Sequence, residues 1–247
     1  MVGNHIESKQ LLVHTLILWR QQGNDSEIAV TLRSLSDTNR LLGHYEEGVQ
    51  EAKEALNIYE CLNDILGQAH SWQELGWILY DDGQLDIAKK AIFRAINYFN
   101  KSDQPLVCRC HSILGDIYHS QGKVKEAINH YEKALSIASP ISWHKVQFWS
   151  HYSLAKLFFG KNRFNDADIQ LNYAKSYVTN ATYLLGRAME LQAEFWYKQD
   201  KLKEAKSEAL YAANLYKGLE VIRDLETCTA LLQKIKEAMD KPVVSCK

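Results

Sequence analysis

Apolar residues recur along this chain with the period of an α-helix. Val124, Ala127, Ile128, Tyr131 and Leu135 stand at i, i+3, i+4, i+7 and i+11, which places them on a single helical stripe. No alternating apolar and polar run competes with this pattern, so the chain predicts helices and no strands. Turns break the helical stretches at regular intervals. They open on Gly43, Gly83, Gly122, Asn162 and Asp200, which are 40, 39, 40 and 38 residues apart. Gly, Asn and Asp are the residues that best tolerate the left-handed backbone needed to end one helix before the next begins.

The same period runs through the small residues. Gly48, Ala88, Ala127, Ala167 and Ala205 follow the turns at one fixed spacing, and Ala55, Ala95, Ala134, Ala174 and Ala212 follow seven residues later. The stretches before the turns carry Leu35-Ser36, Leu75-Gly76, Leu114-Gly115, Leu154-Ala155 and Gln192-Ala193 in matching phase. Small side chains facing each other let two antiparallel helices approach to the short end of the roughly 8–10 Å interaxial range. Five consecutive helix hairpins are therefore expected. Ser102 and Asp103, ahead of Gln104 and Pro105, mark a capped helix start. Pro105 and Pro140 fall between units and Pro242 in the tail, so no proline interrupts a predicted helix.

Trp72, Leu75, Gly76, Leu79, Gly83, Ala88 and Ala95, and better still Leu114, Gly115, Tyr118, Gly122, Ala127, Tyr131 and Ala134, resemble the tetratricopeptide repeat (TPR) motif. Units of about 40 residues resemble the long-repeat subclass of adaptor scaffolds and of the sensor arms of STAND-type NTPases. The resemblance implies an all-α fold, a right-handed superhelical solenoid of antiparallel helix pairs. It would hold five repeats plus an N-terminal half-unit and a C-terminal capping helix. The repeats occupy residues 29–223, starting near 29, 69, 108, 148 and 186, after an N-terminal segment 1–28 and before a capping helix at 224–240 and a flexible tail at 241–247. Asn39, Gln192 and Ala209 depart from the motif in the first and last units, where atypical residues are common. Lys9 to Gln22, with Trp19 forty residues before Tyr59, reads as a second helix lacking its first, either a cap or part of a longer array. Leu225 to Met239 reads as the closing helix.

Composition narrows the function classes. With 46% hydrophobic and 24% charged residues, the chain can bury a core. Its 29 Lys and Arg against 30 Asp and Glu leave no basic excess for a phosphate backbone, so no nucleic-acid partner is expected. The apolar run Leu11 to Trp19, interrupted by His14 and Thr15, is far short of the roughly 20 residues of a membrane span. It lacks the basic start of a secretory signal too. Five cysteines without CxxC spacing (Cys61, Cys108, Cys110, Cys228 and Cys246) suit a reducing compartment, so the expected location is cytoplasmic. The Asn24 and Asn180 sequons then have no glycosylation role.

Catalytic patterns are missing from the sequence. Gly115 and Gly122-Lys123 imitate a phosphate loop, but six residues separate the glycines, Val124 replaces the hydroxyl residue, and the string falls on a repeat turn. His111 and His119 lie eight apart on a predicted helix whose Leu114 and Tyr118 are in core phase, which disfavours metal ligation. Cys108 and Cys110 point to divergent faces and are expected to be buried. No cofactor, metal or catalytic residue is expected, and the chain is not expected to be an enzyme.

In stacked hairpins the first helices line the concave side, and their non-core phases are free to meet a ligand. The predicted partner-binding groove consists of Gln73, Trp77 and Tyr80; Arg109, Asp116 and His119; Trp149, Tyr152 and Lys156; and Arg187, Glu190, Glu194 and Tyr197. Aromatic residues and Arg dominate binding hot spots, so the expected ligand is a protein or peptide, with self-association left open and no membrane partner. A clamp for a C-terminal carboxylate is disfavoured, because Arg33, Asp37 and Glu74 occupy the matching phases. The alternatives are an RNA-binding helical repeat and, less favoured, an enzyme on a helical-repeat fold.

Overall fold

All five aligned turn positions take the left-handed backbone: Gly43 (φ 78°), Gly83 (80°), Gly122 (73°), Asn162 (58°) and Asp200 (59°). The next residue then closes the turn by donating to a carbonyl five positions back, as in Gln84 N to Leu79 O (2.8 Å), Lys123 N to Tyr118 O (2.9 Å) and Lys201 N to Trp196 O (2.9 Å). These bonds satisfy carbonyls that a helix end would otherwise orphan.

The computed structural model describes residues 2–99, 104–178, 182–219 and 221–240. Among them twelve helices follow one another: α1 (Val2–Gln22), α2 (Asp25–Leu42), α3 (Tyr45–Cys61), α4 (Ile65–Asp81), α5 (Leu85–Tyr98), α6 (Gln104–Ser120), α7 (Val124–Ala138), α8 (His144–Gly160), α9 (Phe164–Ser176), α10 (Tyr183–Lys198), α11 (Leu202–Gly218) and α12 (Ile222–Met239). No strand occurs among the described residues. The pairs α2–α3, α4–α5, α6–α7, α8–α9 and α10–α11 are the five repeats, with α1 before them and α12 after. Both outer helices are longer than the stretches the apolar pattern marks, since α1 begins at Val2 and α12 at Ile222. The Ser102–Asp103 cap, Asn180 of the second sequon, Pro242, Cys246 and the rest of the tail lie outside the described residues.

The chain divides into two bodies, residues 2–146 and 147–247. In both, the small residues pack where helices touch. Ala55, Ala95, Ala134, Ala174 and Ala212 are fully buried, as are Ala88, Ala127, Ala167 and Ala205. Gly115 faces the ring of Tyr131, Gly76 faces Ile92, and Gly186 faces Tyr216. Two of the three motif departures are polar ties between helices. Asn39 of α2 donates to Glu51 of α3 (2.7 Å), and Gln192 of α10 bridges Lys175 (3.0 Å) and Asp168 (3.2 Å) of α9. No described helix is long and apolar enough to cross a membrane.

Candidate functional site

In the body 2–146 the first helices α2, α4 and α6 present one charged and aromatic cluster. The Trp77 indole of α4 lies between two guanidinium groups, Arg40 from the end of α2 at 4.1 Å and Arg109 from the start of α6 at 4.2 Å from its centroid. A cation over an indole face contributes about 0.5–2 kcal/mol, depending on desolvation. Arg40 is pinned from its other edge. It donates to Asp37 through Nε (3.0 Å) and Nη2 (2.7 Å) and to Asp81 through Nη1 (2.7 Å). Glu74 is buried beside it, 3.7 Å from Nε. Burial and then the Asp37 charge push the Glu74 carboxyl up to about 7, against the pull of Arg109 and Arg40. Asp37 moves the other way: despite burial, the charge and hydrogen bond of Arg40 hold it below the usual carboxylate range. Asp37 and Glu74 thus place two acids around the bound Arg40 where a carboxylate clamp would need bases.

Other predicted groove residues of this body differ in what they offer. Gln73 is buried, which corrects the expectation that it is free for a ligand. Its Nε2 donates to Leu106 O (3.2 Å) and Cys110 Sγ (3.1 Å), tying α4 to α6. Asp116 accepts from the Tyr131 hydroxyl of its own second helix (2.7 Å). Tyr80 is half-buried, its phenol shifted up by burial and then by Asp116, and its hydroxyl meets Ser120. His119 is half-buried. His111 and His119 do not come together. His111 meets His130 of α7 instead, Nδ1 to Nδ1 at 3.0 Å, with Tyr118 stacked on the His130 ring. Burial and then the His130 charge push His111 down to about 4, and burial lowers His130 as well. Cys108 and Cys110 are buried, and Cys61 is an exposed free thiol. No cluster of three or more potential metal ligands occurs among the described residues.

In the body 147–247 the centre is Arg187 of α10. It donates to the Tyr152 hydroxyl of α8 (3.2 Å), to Asp224 of α12 (2.9 Å) and to Glu190 (3.4 Å), while Tyr216 of α11 donates to Glu190 (2.8 Å). Tyr152 and Glu190 are buried, so neither is free for a partner as the helical phase suggests. Burial pushes the Tyr152 phenol up to about 12, with Arg187 opposing. Trp149 sits edge-on to Phe148 (5.2 Å) and Tyr152 (5.5 Å) and is half-buried. Lys156 and Glu194 are exposed and Tyr197 is half-buried like Trp149, so these four, beside the tied and half-buried Arg187, make the accessible part of the predicted set here.

Two participants escape the sequence reading. Arg40 shares the phase of Tyr80, His119 and Tyr197 but belongs to the first unit, from which the predicted groove takes no residue, and Asp81 lies one position past that phase at the end of α4.

The TPR-repeat family profile matches residues 115–139. No curated protein sequence matches the chain. Solved structures are similar over nearly its full length. A Rap protein complexed with competence and sporulation factor superposes with a TM-score of 0.69 at 14% identity, covering 96% of this chain and 71% of that one. The apo quorum sensor NprR from B. thuringiensis gives 0.73 at 11% identity, covering 92% and 66%. A signal-transduction ATPase with numerous domains (STAND) carrying a tetratricopeptide-repeat sensor, from Pyrococcus horikoshii, gives 0.65 at 16% identity. The chain spans only 40% of that protein, with 98% of its own length covered.

Proposed function

Taking the chain as a TPR-like helical-repeat protein, we propose that it is a non-catalytic scaffold that binds a polypeptide segment on the face formed by its first helices. The observation that carries this reading is the half-exposed Trp77 held between Arg40 and Arg109. An oriented indole flanked by guanidinium groups combines large apolar area with fixed polar handles, the composition typical of binding hot spots. Lys156, Glu194 and Tyr197 offer a second, separate patch in the body 147–247. The near balance of 29 basic and 30 acidic residues supports a polypeptide over nucleic acid as the ligand.

The similar Rap protein is a complex with competence and sporulation factor, and the repeats of the similar STAND protein are described as a sensor. Both support a recognition role, adaptor or sensor, within a larger assembly or a longer protein. Units are counted from residues 29, 69, 108, 148 and 186, with 1–28 leading and 224–240 closing. Exposed Cys61 as a free thiol fits a cytoplasmic location.

The test is selection of displayed random peptides on the immobilised chain, followed by binding to a variant with Trp77, Tyr80, Lys156 and Tyr197 all replaced by alanine. Selected peptides should lose about thirtyfold or more in affinity for a variant whose circular dichroism is unchanged. Peptides that bind the variant equally well would sink the assignment of this face.

A further inference from the structure

The two guanidinium groups on Trp77 are in different states. Arg40 has its donors committed inside the chain, to Asp37 through Nε (3.0 Å) and Nη2 (2.7 Å) and to Asp81 through Nη1 (2.7 Å). Arg109 stacks on the same indole at 4.2 Å and is half-buried. Among the described residues its guanidinium has no hydrogen-bond acceptor and no ion-pair partner. The acids around it are otherwise engaged. Asp37 and Asp81 are held by Arg40, and Asp116, seven residues on along α6, accepts from Tyr131 (2.7 Å). Glu74 stands 3.7 Å from Arg40 Nε, and burial, then the Asp37 charge, raises its carboxyl to about 7.

A guanidinium stays charged at neutral pH and offers five N–H donors in one plane. Partial burial removes part of its water, so a ligand that supplies the missing acceptor gains more here than at a fully hydrated arginine. The indole fixes the plane of Arg109, so little side-chain freedom is lost when its edge is engaged. A carboxylate can accept two parallel N–H bonds along that edge and neutralise the charge, whereas a backbone carbonyl does neither.

We propose that Arg109 selects the bound segment by taking the side-chain carboxylate of an Asp or Glu within it, with the Trp77 indole as backing. This rests on the polypeptide-binding reading above and adds the chemistry of one ligand position. The acid belongs to a side chain within the segment, because a clamp for a chain terminus needs several bases and Asp37 and Glu74 stand in their place. Lys or Arg at that ligand position is repelled by Arg109.

The test selects random peptides, displayed through their C-termini so that only side chains supply carboxylates, on the intact chain. The peptides recovered should share an Asp or Glu at one position. Remade with Asn or Gln there, they should bind about tenfold more weakly. On Arg109→Met, which keeps an unbranched chain at the indole but no donors, the same peptide change should have no effect. On Arg109→Lys, which keeps the charge but not the planar fork, the effect should be intermediate, and this variant carries the comparison should Arg109→Met lose helicity. Peptides that need Trp77 yet bind equally with every acid replaced would overturn the proposal and leave the binding face standing. So would an acid preference that survives in both Arg109 variants at full strength. Peptides indifferent to alanine at Trp77, Tyr80, Lys156 and Tyr197 would overturn the face and the proposal together.

Discussion

At the scale of single residues, the most consequential contacts are between backbone and ring. Gly115 presents bare backbone to Tyr131, which is fully buried and whose hydroxyl is committed to Asp116. A methyl group there would collide with the ring, which cannot move without losing that bond. Gly115→Ala gains up to about 1 kcal/mol of helix propensity. Overpacking costs about 1–3 kcal/mol, so a net loss is expected in urea unfolding. Glu74 governs a pH effect. Its folded-state carboxyl titrates near 7 against an ordinary 4.5, so the folded chain holds this proton more tightly. The stability this lends is complete below about 4.5 and is lost as pH rises through about 7. Glu74→Gln should therefore flatten the fall in urea midpoint between about pH 5 and about pH 8. His111 acts at the other end. Lowered from 6.5 to about 4, it favours the folded state above its unfolded value, and that contribution is lost as pH falls through about 4.

At the scale of helices, the hairpin turns show what a single position contributes. Gly83 sits at φ 80° with nothing within 4 Å of where a Cβ would stand, so a substitution there meets conformational strain and no clash. Gly83→Ala should cost about 1 kcal/mol. Asp200, at φ 59°, already carries that strain. Asp200→Gly should raise stability by several tenths of a kcal/mol to about 1, read from the same unfolding curves. Both positions were visible in the sequence because a turn residue is a local requirement repeated five times. So were the buried alanines, whose phase is set within one hairpin. The contacts of Gln73 and Tyr152 were not. Helical phase puts both on the first-helix face, but each is covered by a neighbouring first helix: Gln73 by α6 through Leu106 and Cys110, Tyr152 by Arg187 of α10. How far one unit's side chain reaches across the next depends on the stacking of units, which the period inside a unit does not encode. Glu190 is hidden for a related reason, since Tyr216 of its own second helix reaches over to it.

At the scale of the molecule, the repeats, the helix count and the leading and closing helices follow from one short period. The accessible chemistry is smaller than the thirteen positions that phase alone selects. The proposed face offers a partner the half-exposed Trp77 in one body and Trp149, Lys156, Glu194 and Tyr197 in the other. The sharpest test of the binding face is photo-crosslinking. Peptides selected on the chain, rebuilt with a benzophenone side chain, are irradiated on the intact protein, and the attachment sites are read by mass spectrometry. Attachment within α4 and α6, or within α8 and α10, is the predicted result; attachment confined to the second helices α3, α5, α7 and α9 would contradict it.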